Sequence, residues 1–172
     1  MMVEITYQMV LSTIQTLSLL VGITYYIMTL NYTRRNQEMT LKTRSTTLFQ
    51  QTLGALVNSS FGITNISLLN QYHPSSYEEH VELTNTIPEY RVAWLWISNM
   101  LDVAGIYLKE DVFDIGMFAK YNPWWFIDFW ERYESIVDGW RKSYGPSYMV
   151  YMEYLVTSLK KYTEEHPELL SP

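Results

Sequence analysis

The stretch between Glu4 and Arg34 carries no charged residue, and its apolar part runs from Met9 to Leu30. At ~1.5 Å of rise per residue a helix of that length covers ~33 Å, enough to cross a hydrocarbon core of ~30 Å. This feature limits the architecture more than any other: it calls for a single-pass membrane helix with the remaining mass attached to it. The segment is not uniformly apolar. Ser12, Thr13, Gln15, Thr16, Ser18, Thr24 and Thr29 interrupt it. Hydroxyls can bond back to helix carbonyls at modest cost, whereas Gln15 is costlier and wants a partner. Tyr7, Tyr25, Tyr26 and Tyr32 lie towards the ends, where amphipathic rings prefer the interface. The alternative is a buried core helix, but core helices rarely run this long without a charge. A cleaved signal peptide fits less well. The first residues carry Glu4 and no Lys or Arg, and no small-x-small site follows, the first alanine being Ala55. The expectation is an uncleaved signal anchor, with the lipid bilayer as the first partner.

The flanks give the anchor a direction. Arg34, Arg35, Lys42 and Arg44 follow the span, opposed only by Glu38; Glu4 and the amino terminus precede it. The positive-inside rule then puts the N-terminus outside and the C-terminal side in the cytoplasm, at the cell membrane. On that side the sequons at Asn31, Asn58 and Asn65 have no meaning. One face of the anchor stands out. Gln15, Ser18, Gly22, Tyr25, Thr29, Tyr32 and Asn36 recur at spacings of three and four, which is one stripe of a helix. Ser18 and Gly22 form a small-xxx-small pair that permits close backbone approach. Two readings stand side by side: a face for a homo-oligomer or membrane-protein partner at Gln15, Ser18, Gly22, Tyr25 and Thr29, or a tolerated polar stripe on a monomeric anchor.

Beyond the anchor the pattern is helical throughout. No proline occurs from Thr33 to Val57, and the first glycine there is Gly54. The membrane helix therefore continues as a juxtamembrane helix with Leu41, Leu48, Phe49, Leu53, Leu56 and Val57 on its apolar side. A spacer docked on the domain fits this better than a coiled-coil rod, since no sustained heptad is present. Asn58-Ser59-Ser60 and Gly62 break it, and a short helix near Thr64–Gln71 follows. Ser75 and Ser76 with Glu78 and Glu79 make capping-box spacings ahead of a helix near Tyr77–Asn85. Pro88 opens a long helix to Lys109, with Trp94, Ile97, Leu101, Ala104 and Leu108 as its buried stripe. Asp111 or Asp114 begins a short helix up to about Lys120. Asn122-Pro123 caps the next, which Gly145-Pro146 stops after Tyr144. The last helix runs from about Ser147 to Tyr162, and His166-Pro167 ends it. The expected organisation is an extracytoplasmic N-terminus over 1–8, a transmembrane helix over 9–31, a juxtamembrane helix over 32–57, an all-α cytoplasmic bundle over 58–165, and a frayed tail over 166–172. About 115 residues suffice for one ordinary domain with its own core.

Composition narrows the chemistry. The absence of cysteine removes disulfides, thiolate metal sites and cysteine nucleophiles. Twelve basic against eighteen acidic residues, a net charge of -6, argue against a nucleic-acid partner, which would need a basic face. His80 has Glu78, Glu79 and Glu82 beside it and His73 seven residues earlier. Within a helix Glu79 and Glu82 can share a face while His80 points elsewhere, so a solvated acidic helix is the simpler reading and no metal ligand is assigned. No Glu-x-x-His pair, nucleophile elbow or phosphate loop is present, and neither a catalytic residue nor a cofactor is assigned. Asp128 with Arg132, and Asp138 with Arg141 and Lys142, have the spacing of surface ion pairs. The most unusual local run is Trp124, Trp125, Phe126, Ile127, Phe129 and Trp130, which covers more than half of a helix circumference. Either that helix is central in the bundle, or Trp124, Trp125 and Phe126 form a contact patch.

The anchor phrase IQTLSLLVGITYYIMTLNYTRRNQEMTLKTR is similar to one shared by a large group of uncharacterised, membrane-anchored archaeal proteins. In that group a helix like YFEGIGLLVKKGLID follows; here it reads WISNMLDVAGIYLKEDVFD, from Trp96 to Asp114, with Asp102 departing from the group's Phe-Glu-Gly pattern. A Trp-containing helix comes next, here Phe126 to Gly145, then one like FEYLYEEMKK, here Met152 to Tyr162. The resemblance implies an all-helical domain on the cytoplasmic face and no activity, since the group is a domain of unknown function. The expected function is an interaction or regulatory module held at the membrane. The alternatives are an accessory subunit of a membrane complex and a small tethered enzyme. A pocket gathering Asp102, Glu131 or His80 would favour the enzyme; a flat exposed Trp124–Phe126 patch would favour the interaction module.

Overall fold

A computed structural model describes residues 7–170. Glu4, most of the N-terminus expected over 1–8, and residues 171–172 lie outside the described residues. Seven α-helices follow one another: α1 (Tyr7–Val57), α2 (Ser60–Gln71), α3 (Tyr77–Thr86), α4 (Pro88–Lys109), α5 (Ile115–Tyr121), α6 (Pro123–Tyr144) and α7 (Val150–Glu165). A 3-10 turn over Pro167–Leu170 comes last, so order extends past the His166-Pro167 break, and Leu169 packs on the core. No strand occurs among the described residues. The chain divides into two compact units, one up to Arg44 and one from Ser45.

Among the described residues the first unit is the part of α1 up to Arg44. The helix is long and apolar enough to cross a membrane, and none of its side chains from Tyr7 to Arg35 is covered by protein. The hydroxyls behave as their chemistry requires. Thr13 donates to the Met9 carbonyl at 2.8 Å, Thr16 to Ser12 at 2.9 Å and Thr24 to Leu20 at 2.8 Å. Such back-bonding satisfies these hydroxyls within the helix, which is what an apolar surrounding demands.

The second unit begins inside α1 rather than at residue 58, because the last turns of α1 are already core. Phe49, Leu53 and Leu56 are buried, and the Phe49 ring stands edge-on to Phe113 and Phe118 at 5.5 and 5.0 Å. The Ser45 hydroxyl donates to the Val112 carbonyl at 2.5 Å. The last turns of α1 thus belong to the core of the helical unit. Caps then set the remaining boundaries. Ser59 accepts from the Gly62 amide at 2.9 Å, which starts α2 at Ser60, one turn earlier than Thr64. Gly62, read as a breaker, lies in that first turn, where a Cβ would meet the Leu56 carbonyl at 2.0 Å. Ser76 caps α3 through the Glu79 amide at 3.1 Å, and Glu79 reaches back to the Ser75 amide and hydroxyl at 2.7 and 2.8 Å. Those two bonds hold the Glu79 carboxyl below its usual pKa. Asp114 caps α5 and Asn122 caps α6, with Pro123 at the first helical position.

The core lies between α4, α6 and α7. Trp94, Ile97, Leu101, Ala104 and Leu108 all turn inward, as their spacing requires, and meet Met152, Leu155 and Leu159 of α7. α6 is amphipathic: Phe126, Ile127, Phe129, Trp130, Tyr133, Ile136 and Val137 are buried on one side. Its charged side is held by Asp128–Arg132, by Lys160–Glu131 at 2.8 Å, and by Arg141, which joins Asp138 at 3.2 Å and also Glu153 of α7. The exposed pairs contribute only tenths of a kcal/mol each.

The start of α7 is capped from another helix. α7 begins at Val150, after a turn, and its cap residue Met149 sits in the left-handed region (φ 53°) with no side-chain acceptor to offer. Asp102 of α4 supplies one: its Oδ1 accepts from the Tyr151 and Met152 amides at 3.0 and 2.9 Å. A carboxylate there also complements the helix dipole. Replacing Asp102 with Ala is expected to cost about 1–2 kcal/mol, and with Asn clearly less, since an oxygen acceptor is kept. Urea unfolding of the two variants checks this; equal losses would mean the charge and not the acceptor matters.

Candidate functional site

From Val92 to Leu108 the only charged residue of α4 is Asp102. A helix apolar on every side is normally covered on every side. α4 packs against α2, α3 and α7 and is left open along one strip. On its outward side Val92, Leu95 and Val103 are 47%, 46% and 41% exposed, beside exposed Asn99 and half-buried Trp96, Met100 and Tyr107. With Thr52 from the end of α1 these residues line an open groove of about 560 Å³, none of them charged. Phe61 of α2, 51% exposed, stands edge-on to Trp96 at 5.1 Å and widens the apolar area. The volume would admit a small molecule, but Thr52, Asn99, the Tyr107 hydroxyl and the Trp96 indole N–H are the few polar groups among its lining side chains, and none is charged. Small-molecule sites gather several convergent polar groups in an enclosed space. An open, uncharged strip along a helix matches a protein helix better. The sequence carried this signal: one charge in that whole run leaves too many apolar residues for a single buried stripe.

His80 is the second feature, and reading α3 as a solvated acidic helix does not capture it. Its imidazole is fully buried, while Glu78, Glu79 and Glu82 stay at the surface. Helical geometry separates the ring from the carboxylates beside it in sequence. Among the described residues no three His, Asp or Glu side chains come close enough to hold a metal. His80 Nδ1 lies 2.9 Å from the Tyr90 hydroxyl, and its ring stands edge-on to Trp94 at 4.7 Å and to Trp140 at 6.1 Å. Burial pushes its pKa down to about 4, so the ring is neutral where it pairs with the Tyr90 hydroxyl. Burial also raises Tyr90, and raises Tyr133, whose hydroxyl donates to the Leu69 carbonyl at 3.2 Å, to about 12. A closed imidazole with no open side is packing, not a general base: it has no route to a substrate. Asp102 and Glu131 are engaged separately, one capping α7 and the other paired with Lys160.

The remaining sequence candidates fall as follows. Trp124 is 56% exposed, Trp125 is half-buried against Phe126 and Phe129, and Phe126 is buried at 1%. The triplet is therefore split between core and surface. Gln15, Ser18, Gly22, Tyr25 and Thr29 are all exposed along α1, and a Cβ at Gly22 would meet nothing within 4 Å. Arg34, Arg35, Lys42 and Arg44 are exposed as well.

Residues 12–159 match a domain of unknown function, DUF4760. The chain belongs to the DUF4760 family. No curated protein and no solved structure is significantly similar to it. The DUF4760 span takes in the polar stripe of α1, the whole of α4 with its groove, the His80 cluster and most of α7. The groove is thus part of the DUF4760 domain rather than an appendage to it.

Proposed function

We propose that this DUF4760 protein is a membrane-anchored interaction module, with α1 as a single-pass anchor and the helical unit on the cytoplasmic face. The uncharged outward face of α4 carries this reading. A 22-residue helix that exposes Val92, Leu95 and Val103 beside Trp96 and Met100 has a surface suited to another protein. The anchor supports it by confining the module to a plane, where tethering raises the effective concentration of partners. Arg34 and Arg35 after the span support the orientation. The resemblance to membrane-anchored archaeal proteins favours the same arrangement and an archaeal source. The exposed stripe of Gln15, Ser18, Gly22, Tyr25 and Thr29 favours a second reading, an accessory subunit that packs its anchor against another membrane helix.

The absence of cysteine makes the test direct. A photo-crosslinking residue at Val103 in native membranes is expected to trap protein, and one at the exposed Glu82 is not. Val103 with no adduct would end the interaction reading. E82C is expected to resist an impermeant maleimide until the cells are opened. Labelling in intact cells would reverse the orientation.

A further inference from the structure

We infer that the partner of the α4 groove is a second copy of this chain, packed antiparallel about Asn99. The inference rests on the interaction reading above and names its partner.

The outward strip of α4 holds exposed Val92, Leu95, Asn99 and Val103 and ends at half-buried Ile106, with spacings of three, four, four and three. At 100° per residue they fall within a strip narrower than a third of the helix circumference. The order is the same read from either end: apolar, apolar, amide, apolar, apolar. A surface that meets its own copy through a twofold axis must be self-complementary, each residue facing its mirror position. This strip has that property about Asn99. Val92 then faces Ile106 of the other copy, and Leu95 faces Val103.

Asn99 is what selects a copy over an arbitrary apolar helix. It is exposed in the middle of the strip and lines the groove. Covering an amide with a purely apolar helix strands its donors and acceptor, at a cost of about 1–3 kcal/mol. An amide is both donor and acceptor, so two of them across a twofold axis satisfy each other. A single central asparagine also fixes register, because any slip buries it against an apolar side chain. Charge is compatible too: the groove carries none, so two copies meet without repulsion.

Size sets how strong the contact is. From Val92 to Ile106 the strip is ~21 Å long at ~1.5 Å per residue, and a helix is ~10 Å across. Such a crossing, with Phe61 and Trp96 at the edge, buries a few hundred Å² per copy, below the ~800 Å² per partner of a stable soluble complex. The dimer therefore depends on the anchor. Two copies confined to one bilayer gain the effective concentration that the small interface lacks.

Disulfide trapping on the full chain in vesicles tests this, with single cysteines in an otherwise cysteine-free sequence. L95C mixed with V103C keeps Asn99 and is expected to form the mixed disulfide dimer roughly tenfold faster than E82C, the tethered-collision control. V92C alone and I106C alone place their sulfurs ~20 Å or more from their own copies and are expected to match the control. V92C mixed with I106C is expected to give the mixed dimer, and N99K introduced into both chains of the L95C and V103C pair to return it to the control rate. Positions 82, 92, 95, 99 and 103 are exposed and Ile106 is half-buried, and circular dichroism of each variant checks that the helices are kept. A mixed L95C and V103C rate equal to the control would mean collision alone and overturn the proposal. So would quenching of a fluorophore on V103C by spin-labelled lipid, which would give the face to the bilayer. If Val103 in native membranes traps a different protein while the mixed L95C and V103C pair stays at the control rate, the interaction reading stands and the copy as partner does not.

Discussion

Replacing Gly105 with alanine should destabilise the helical unit by about 3 kcal/mol. Gly105 faces the start of α7, and a Cβ there would lie 1.9 Å from the Tyr151 carbonyl oxygen and 2.4 Å from its carbon. Backbone cannot rotate aside as a side chain does. To restore ordinary contact near 3.4 Å, α7 must retreat from α4 by about 1.5 Å. Asp102, one turn earlier on the same helix, holds the Tyr151 and Met152 amides at 3.0 and 2.9 Å. The same retreat pulls those bonds apart. Overpacking and the lost cap outweigh the ~1 kcal/mol that alanine gains over glycine in a helix interior. All six tryptophans lie after Ser45, so indole fluorescence reports the helical unit alone. The expected result is a fall in Tm of roughly 10 °C. D102A should add little in the G105A background, because the two changes break the same junction. Gly54 is the internal comparison. A Cβ there meets only the Asn58 amide at 3.8 Å, so G54A should raise stability by about 0.5–1 kcal/mol. A neutral G105A would show that α7 does not rest on α4 as closely as described.

Most of the secondary structure was legible because local chemistry announces it. Pro88, Asn122-Pro123, Asp114, Ser76 with Glu79, and Gly145 each sit at a helix end whose orphan groups need that residue. The buried stripe of α4 followed from spacing alone. What was not legible depends on contacts far apart in the chain. Gly62 reads as a breaker, yet it lies within a helix because α2 starts against the Leu56 carbonyl. α7 starts late, at Val150, because its cap comes from Asp102, 49 residues earlier than Tyr151. His80 lies among three glutamates in sequence, and only the arrival of Trp94 and Trp140 from α4 and α6 makes its side the buried one. The groove was half legible. Its apolar residues were visible, but whether a neighbour covers them is decided by the packing of α1, α2 and α7, which no local pattern encodes.

That burial of His80 gives the unit an acid sensitivity that its surface would not suggest. An unfolded chain carries this histidine near pKa 6.5, and the folded chain near 4. Between those values the unfolded state binds the extra proton, so stability rises with pH across the window. The contribution is complete above about pH 6.5, is lost as pH falls, and is gone near pH 4. At ~1.4 kcal/mol per unit of pH the full window amounts to about 3 kcal/mol, and solvent relaxation around the charged ring brings the realised loss nearer 2 kcal/mol. The groups around the ring are Tyr90 and Trp94 of α4 and Trp140 of α6, none of which carries a negative charge to pair with an imidazolium. Glu79 acts in the same direction but later: its lowered pKa keeps its contribution down to pH values below 4.5. Urea midpoints at pH 7 and pH 5 therefore isolate His80. The wild type should lose about 1–2 kcal/mol over that step. H80F keeps an aromatic ring among Tyr90, Trp94 and Trp140 but removes the imidazole partner of the Tyr90 hydroxyl, which costs about 1 kcal/mol at pH 7. It should then lose almost nothing on acidification. An H80F variant with the pH dependence of the wild type would assign the acid sensitivity to the surface carboxylates instead, and would mean that the ring is not closed off from water.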